Sequence, residues 1–386
     1  MKRSILFCCY GLGMGGIEKC MINLLNELDT EKYEIDVLPM NPCYDLLPLL
    51  HGKVTILNPF DYVMNTTDTA AALKHQGLSL NKIIKYVKYV MFRFVNKWGY
   101  RPWRLFCAPA KEYDIAVAYA HVGYVPYYVI DCVNAKKKYM WHHEGRYLKG
   151  RNYNLDKEYF SKFDSIVAVS KDDKKVLLEA FPELKNSIKV IYNIIPYSEI
   201  ISKSCESIEL IPKTDKIKIT TVGRLTKQKG PDILVDVAIK LKKANIPFVW
   251  YWIGDGDQKN YMQSQIKKNN LSDDVILWGN QTNPYPFIKW CDIYVQPSYY
   301  EAFCTTTMEA QVLEKPIIVT DVCGMHEQFI NGYNGLIVPI NSQEIFQQIL
   351  ALANNPIKRK ALSENAGNKI KNYNNVINDY YYLFDQ

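Results

Sequence analysis

The sequence predicts an α/β protein of two domains, each organised around a sheet of parallel strands. At 386 residues the chain is longer than one core ordinarily supports. Short apolar runs alternate with stretches of helical periodicity along most of its length. A strand running into a glycine turn and then a helix occurs twice, at Gly11–Gly16 and at Gly223–Gly230, and the second opens a new round of alternation.

The bulk composition fits a water-soluble enzyme or binding protein. The chain is 48% hydrophobic and 23% charged. Ten cysteines are scattered without Cys-x-x-Cys spacing, which disfavours a zinc site or a disulfide framework and suits a reducing cytosol. The apolar run after Met1 breaks at Gly11, so it reads as a first strand, and no run approaches the roughly 18 apolar residues of a membrane span. The net charge of +7 is local. Between Asp68 and Glu112 there are nine basic residues and no acidic one, and the rest of the chain holds 38 basic against 40 acidic residues. Such a segment points to one anionic surface or partner.

In the first half, residues 4–9 form a strand, Gly11–Gly16 a glycine loop, and Ile17–Leu28 a helix. Glycines let the backbone approach an anion, and the helix N-terminus offers free N–H groups. A dinucleotide site would need an acid ending the second strand, yet that strand ends Val37-Leu-Pro-Met40, which weakens a nicotinamide-dependent oxidoreductase. Val54–Leu57 and Tyr113–Tyr119 are further strands. Between them, residues 81–98 carry an apolar helical stripe with lysines largely off it, the pattern of a helix lying on an anionic bilayer, or of one packed on its own domain. The strand from Lys136 ends in His142, His143 and Glu144, a candidate functional cluster. Metal ligation there lacks a second His or Cys cluster to complete it. Strands at Asp164–Ser170 and Ile188–Tyr192 close this half.

The second half opens with strand Lys218–Val222 and the turn Gly223–Gly230, and Pro231 starts a helix. Arg224 and Lys229 flank that turn, a setting suited to a diphosphate. Strand Phe248–Ile253 ends in Asp255-Gly-Asp257, read as a turn in preference to a cation site. The strand from Cys291 ends at Pro297 and delivers Glu301 on a loop, and Glu309 follows inside the next helix. Two carboxylates at the carboxyl edge of a sheet suit a polyhydroxylated ligand. The expected division is 1–195 and 215–369 as domains, 196–214 as linker and 370–386 as a terminal helix.

The motifs Gly15-Gly-Ile-Glu18, Val222-Gly-Arg-Leu-x-x-x-Lys-Gly230, Ile253-Gly-Asp-Gly256 and Gln296-Pro-Ser-x-x-Glu301-x7-Glu309, in this order, resemble retaining glycosyltransferases of the GT-B fold, family 4. That resemblance implies two facing doubly wound Rossmann-like domains, with the C-terminal helix crossing back onto the first. It further implies a UDP- or GDP-linked sugar on the second domain, with Gly223 in the phosphate turn, Arg224 and Lys229 on the diphosphate, and Glu309 on the ribose. Glu301 and the amides of Phe303, Cys304 and Thr305 would hold the transferred sugar, and Gly16 would give an amide to the phosphate. His143 would stand near the anomeric carbon, with His142 as the neighbouring alternative. The resemblance implies no metal and no cofactor. Its usual acceptors, polyprenyl-linked saccharides or glycolipids, would give the basic segment at about 81–105 a membrane partner and place the enzyme on the cytoplasmic face of the cell membrane. Ala302 and Cys304 depart from the family's usual glycines, narrowing the sugar pocket. A non-catalytic nucleotide-sugar-binding subunit is the remaining alternative.

Overall fold

A computed structural model describes residues 2–58, 101–105, 109–121, 123–147, 152–207, 214–371, 373 and 375–386. Among them two sheets form the layers. The first contains β1 (Arg3–Cys9), β2 (Tyr33–Pro39), β3 (Val54–Ile56), β4 (Tyr113–Ala118), β5 (Ala135–His142), β6 (Ser165–Ala168) and β7 (Ile188–Val190), in the order β3-β2-β1-β4-β5-β6-β7. The second contains β8 (Ile217–Val222), β9 (Phe248–Ile253), β10 (Val275–Gly279), β11 (Ile293–Gln296), β12 (Ile317–Thr320) and β13 (Leu336–Val338), in the order β10-β9-β8-β11-β12-β13. Every pairing is parallel. Parallel strands need helical crossovers, which cover both faces, so inner strands such as β6 and β9 are buried throughout.

Both sheets reverse their direction of growth beside their first strand, between β1 and β4 and between β8 and β11. Reversal sends the flanking connections to opposite faces and leaves a crevice at the strands' carboxyl ends, where ligands bind in open α/β sheets. The glycine turns after β1 and β8 and the loop carrying Glu301 all emerge at these two points.

The chain returns to the first domain at its end. Helix Val376–Phe384 places Phe384 against Phe7, Tyr33, Tyr139 and Trp141, and the Arg3 guanidinium donates to the Phe384 carbonyl at 2.5 Å. Helix Pro356–Lys371 runs past the expected boundary at 370. The expected linker 196–214 begins with a helix, Tyr197–Lys203, anchored by fully buried Ile200, so its first part is a packed element.

Most of the basic segment at 81–105 lies outside the described residues. Its described members are paired with acids: Arg101 with Glu158 at 2.6 Å and Arg104 with Asp131 at 2.8 Å. Lys111 likewise meets Glu34 and Asp36, so part of the local excess is neutralised within the domain.

Candidate active site

The turn after β8 and the loop after β11 are tied to one another before any ligand is considered. Tyr299 N–H donates to the Gln228 carbonyl at 2.8 Å, and the Gln228 amide donates to the Tyr300 carbonyl at 3.0 Å. Between these ties Lys229 Nζ donates to Glu301 Oε1 at 2.6 Å, and the Ser298 hydroxyl donates to the same oxygen at 2.6 Å. Glu301 is buried. Burial works against the charged form of Lys229, but the Glu301 carboxylate outweighs it and holds the ammonium pKa above its ordinary value. Arg224 is exposed at the mouth of the same crevice. Glu18 faces it from the first domain, its carboxyl pKa raised by burial, with the Arg224 charge working in the opposite direction.

Two helix N-termini open here. Helix Gly16–Glu27 follows β1 through the glycine loop, and helix Thr305–Val312 follows β11; neither has a side-chain cap. Their first amide groups and the positive ends of their dipoles are therefore available to an anion or a hydroxyl. Cys304 stands at the start of the second helix with φ 45°, a left-handed conformation that glycine adopts more readily.

A cavity of about 520 Å³ joins these elements across the two domains, within the range of small-molecule sites. Of the residues singled out in the sequence, Gly16, His143, Gly223, Arg224, Lys229, Glu301, Phe303, Cys304 and Thr305 line it. Glu309 does not. Its side chain lies one turn further along the helix, turned to Lys19 of the first domain at 2.8 Å.

The two histidines separate cleanly. Successive residues at a strand end point to opposite faces. His142 Nδ1 meets Asp173 Oδ1 at 2.8 Å in the first domain's interior, where Asp173 also accepts the Gly145 amide at 3.0 Å. His142 is thus a structural partner of helix Lys171–Ala180 and does not line the cavity. His143 does, and its Nε2 is buried without a hydrogen-bond partner. Burial lowers its pKa to about 3, with Asp173 opposing, so the imidazole is neutral at neutral pH. Between pH 6.5 and 3 the unfolded chain therefore binds a proton that the native chain refuses, and this contribution to stability is lost as pH falls. Urea midpoints at pH 7.5 and pH 5 should thus differ more in the wild type than in His143→Gln.

Sequence reasoning missed several cavity groups. His121, two residues after a predicted strand, lies 2.7 Å from Glu144 through Nε2 and receives the His143 amide at Nδ1. The domains also meet through a reciprocal cap. Glu327 accepts the amides of Lys171 and Asp172 at 3.0 Å each, and Asp172 accepts the Gly324 amide at 2.9 Å. Gly145 brings the first domain within van der Waals contact of the Glu301 loop: a Cβ there would stand 1.9 Å from the Glu301 carbonyl oxygen. Arg146 stacks on Tyr300, 3.3 Å from the ring centroid. Among the described residues no group of three His, Cys, Asp or Glu is placed to hold a metal ion.

Residues 206–369 match the family model of the glycosyl transferases group 1. Over that stretch the chain is similar to the group 1 glycosyltransferases. It is 27% identical over 376 residues to the N-acetylgalactosamine-N,N'-diacetylbacillosaminyl-diphospho-undecaprenol 4-alpha-N-acetylgalactosaminyltransferase of Campylobacter jejuni, covering 95% of this chain and 94% of that one. It is 35% identical over 214 residues to an uncharacterized glycosyltransferase of Methanocaldococcus jannaschii, covering 54% of this chain and 56% of that one. A second glycosyltransferase of that organism matches over 41% of its length, so the chain spans about half of these archaeal relatives. In three dimensions it resembles Anabaena HepE, crystallised with UDP and glucose, at TM-score 0.72 and 17% identity, covering 98% of each chain. It also resembles Staphylococcus aureus TarM at TM-score 0.71 and 14% identity over the full length of both. The fold is thus GT-B, two Rossmann-like domains facing one cleft.

Proposed function

We propose that this protein is a glycosyltransferase: a retaining, metal-independent family 4 hexosyltransferase that moves a hexose from a UDP- or GDP-sugar to a hydroxyl of a lipid-linked saccharide. The observation that carries the reading is the convergence, in one cavity, of two uncapped helix N-termini, Arg224 and Lys229 with Glu301 and His143. Breaking a sugar–diphosphate bond places negative charge on the leaving oxygen, and preorganised cations and amides lower that barrier most effectively. In this reading Arg224 and Lys229 neutralise the diphosphate, Gly16 and Gly223 bring backbone close to it, and Glu309 holds the ribose. Glu301 and the Phe303–Thr305 amides hold hydroxyls of the transferred sugar. His143, neutral and lacking a partner, is suited to hydrogen-bond a sugar hydroxyl beside the anomeric carbon. The acceptor oxygen attacks that carbon on the face the diphosphate leaves, the carbon–oxygen bond to phosphate breaks, and the acceptor proton passes to the departing phosphate oxygen.

Support for a lipid-linked acceptor comes from relatives whose names specify diphospho-undecaprenol saccharides, in Campylobacter jejuni and Escherichia coli. A place in polysaccharide synthesis at the cytoplasmic face of the membrane follows from such an acceptor, with the segment at about 81–105 as the anionic-surface contact. Stronger binding to anionic than to neutral liposomes is expected; equal weak binding to both removes the membrane contact. The donor reading is tested by incubating the protein with a panel of nucleotide sugars and measuring released nucleotide. Release from at least one UDP- or GDP-sugar is expected, and release from none sinks the assignment.

A further inference from the structure

Lys19 follows Glu18 in helix Gly16–Glu27, and its ammonium crosses from the first domain to Glu309 of the second, 2.8 Å from Oε1. Its Nζ also lies 4.6 Å from the Tyr285 ring centroid. The side chains are 19% and 2% exposed, so this is a desolvated pair and not one of the surface bridges that contribute little. A second, independent observation concerns the other oxygen. Glu309 Oε2 is buried and has no hydrogen-bond partner. A buried acceptor left in that state is costly unless a ligand supplies the donor. Thr305 and Thr306, about one turn earlier on the same helix, line the cavity, so Oε2 stands close to the space a donor nucleotide would fill.

We propose that Lys19 is a positioning residue for donor binding: from the opposite domain it occupies Oε1 of Glu309 and leaves Oε2 for a ribose hydroxyl. This rests on the nucleotide-sugar reading given above. Because the two partners belong to different domains, their contact requires a closed cleft, and the grip on the nucleoside is thereby tied to closure.

The test is calorimetric titration of the wild type and variants with UDP and GDP and with their 2′-deoxy and 3′-deoxy counterparts. Loss of the contacted hydroxyl should weaken wild-type binding about tenfold or more, the effect of a hydrogen bond to a charged group. Lys19→Met should weaken the ribonucleotide about tenfold and erase most of the ribose selectivity, and Lys19→Arg should restore part of both. In steady-state assays the donor KM should rise with little change in kcat. Should Lys19→Met fail to fold, Lys19→Met/Glu309→Gln has no unpaired buried charge, and it should match Glu309→Gln alone in selectivity. A double variant clearly weaker than Glu309→Gln overturns the proposal, since Lys19 would then act without Glu309. Full ribose selectivity in Lys19→Met, with selectivity lost in Glu309→Gln, also overturns it and leaves the donor reading intact. Tighter nucleotide binding by Lys19→Met overturns it too, because Lys19 would then compete for the carboxylate. A wild type that binds neither nucleotide, or binds ribose and deoxyribose forms alike, overturns the donor reading itself.

Discussion

Lys229→Ala is expected to lower kcat by about a hundredfold to a thousandfold, the range found when one preorganised donor to a developing anion is removed. In the proposed reading the side chain serves two ends at once. Its ammonium holds Glu301 Oε1 at 2.6 Å, and its place on the turn after β8 sets positive charge where the leaving diphosphate would lie. Removing it leaves a buried carboxylate supported by the Ser298 hydroxyl at 2.6 Å, so stability should fall as well. The two losses separate in a double variant. Lys229→Ala/Glu301→Gln no longer buries an uncompensated charge, so it should regain much of the thermal midpoint and none of the turnover. Steady-state rates and melting curves on the three proteins decide this. Turnover within about threefold of wild type in Lys229→Ala would remove Lys229 from the chemistry.

The sequence made the local units legible because their signals are local. The glycine turns after β1 and β8, the proline opening helix Pro231–Lys243 and the loop bearing Glu301 each depend on residues within a few positions. Their convergence on one crevice follows from the strand order of parallel sheets, a general rule. Contacts across the cleft were hidden for the opposite reason. Lys19 and Glu309 are 290 positions apart, and nothing in either helix's periodicity says which side chain faces the other domain. The same holds for Glu327, whose carboxylate caps a helix of the other domain. The choice between His142 and His143 was undecidable from the strand alone, since alternation assigns them to opposite faces without saying which face is the cleft. In the structure Asp173 holds His142, and His143 is the one that lines the cavity. The start of the supposed linker was misread because its polar residues concealed the single buried Ile200 that pins helix Tyr197–Lys203.

These interdomain contacts form on both sides of the cavity. Lys19–Glu309 closes one flank, and the exchange between Asp172, Gly324 and Glu327 closes another. Of the two, the Lys19–Glu309 pair is the desolvated one, so parting it without supplying water or a ligand would be costly.

What joins the domains at the back of the cleft is the terminal helix, and there the largest loss of stability is expected. Phe384 is 1% exposed and contacts the rings of Phe7, Tyr33, Tyr139, Trp141 and Tyr380 at centroid distances of 6.2–6.3 Å. Truncating it opens a cavity among rigid aromatic rings on β1, β2 and β5 that cannot collapse to fill it. Phe384→Ala should therefore cost about 3–5 kcal/mol, the range for a fully buried phenylalanine. The helix it anchors follows helix Pro356–Lys371, which packs on helix Thr305–Val312 beneath the cavity. The effect should consequently reach function: with its anchor lost, the second domain is held less firmly against the first, and donor KM should rise. Urea unfolding monitored by aromatic fluorescence measures the first effect, and steady-state assays at saturating acceptor the second. A midpoint within experimental error of wild type would show that the terminal helix is an appendage, and the first domain's aromatic face would then need no cover from it.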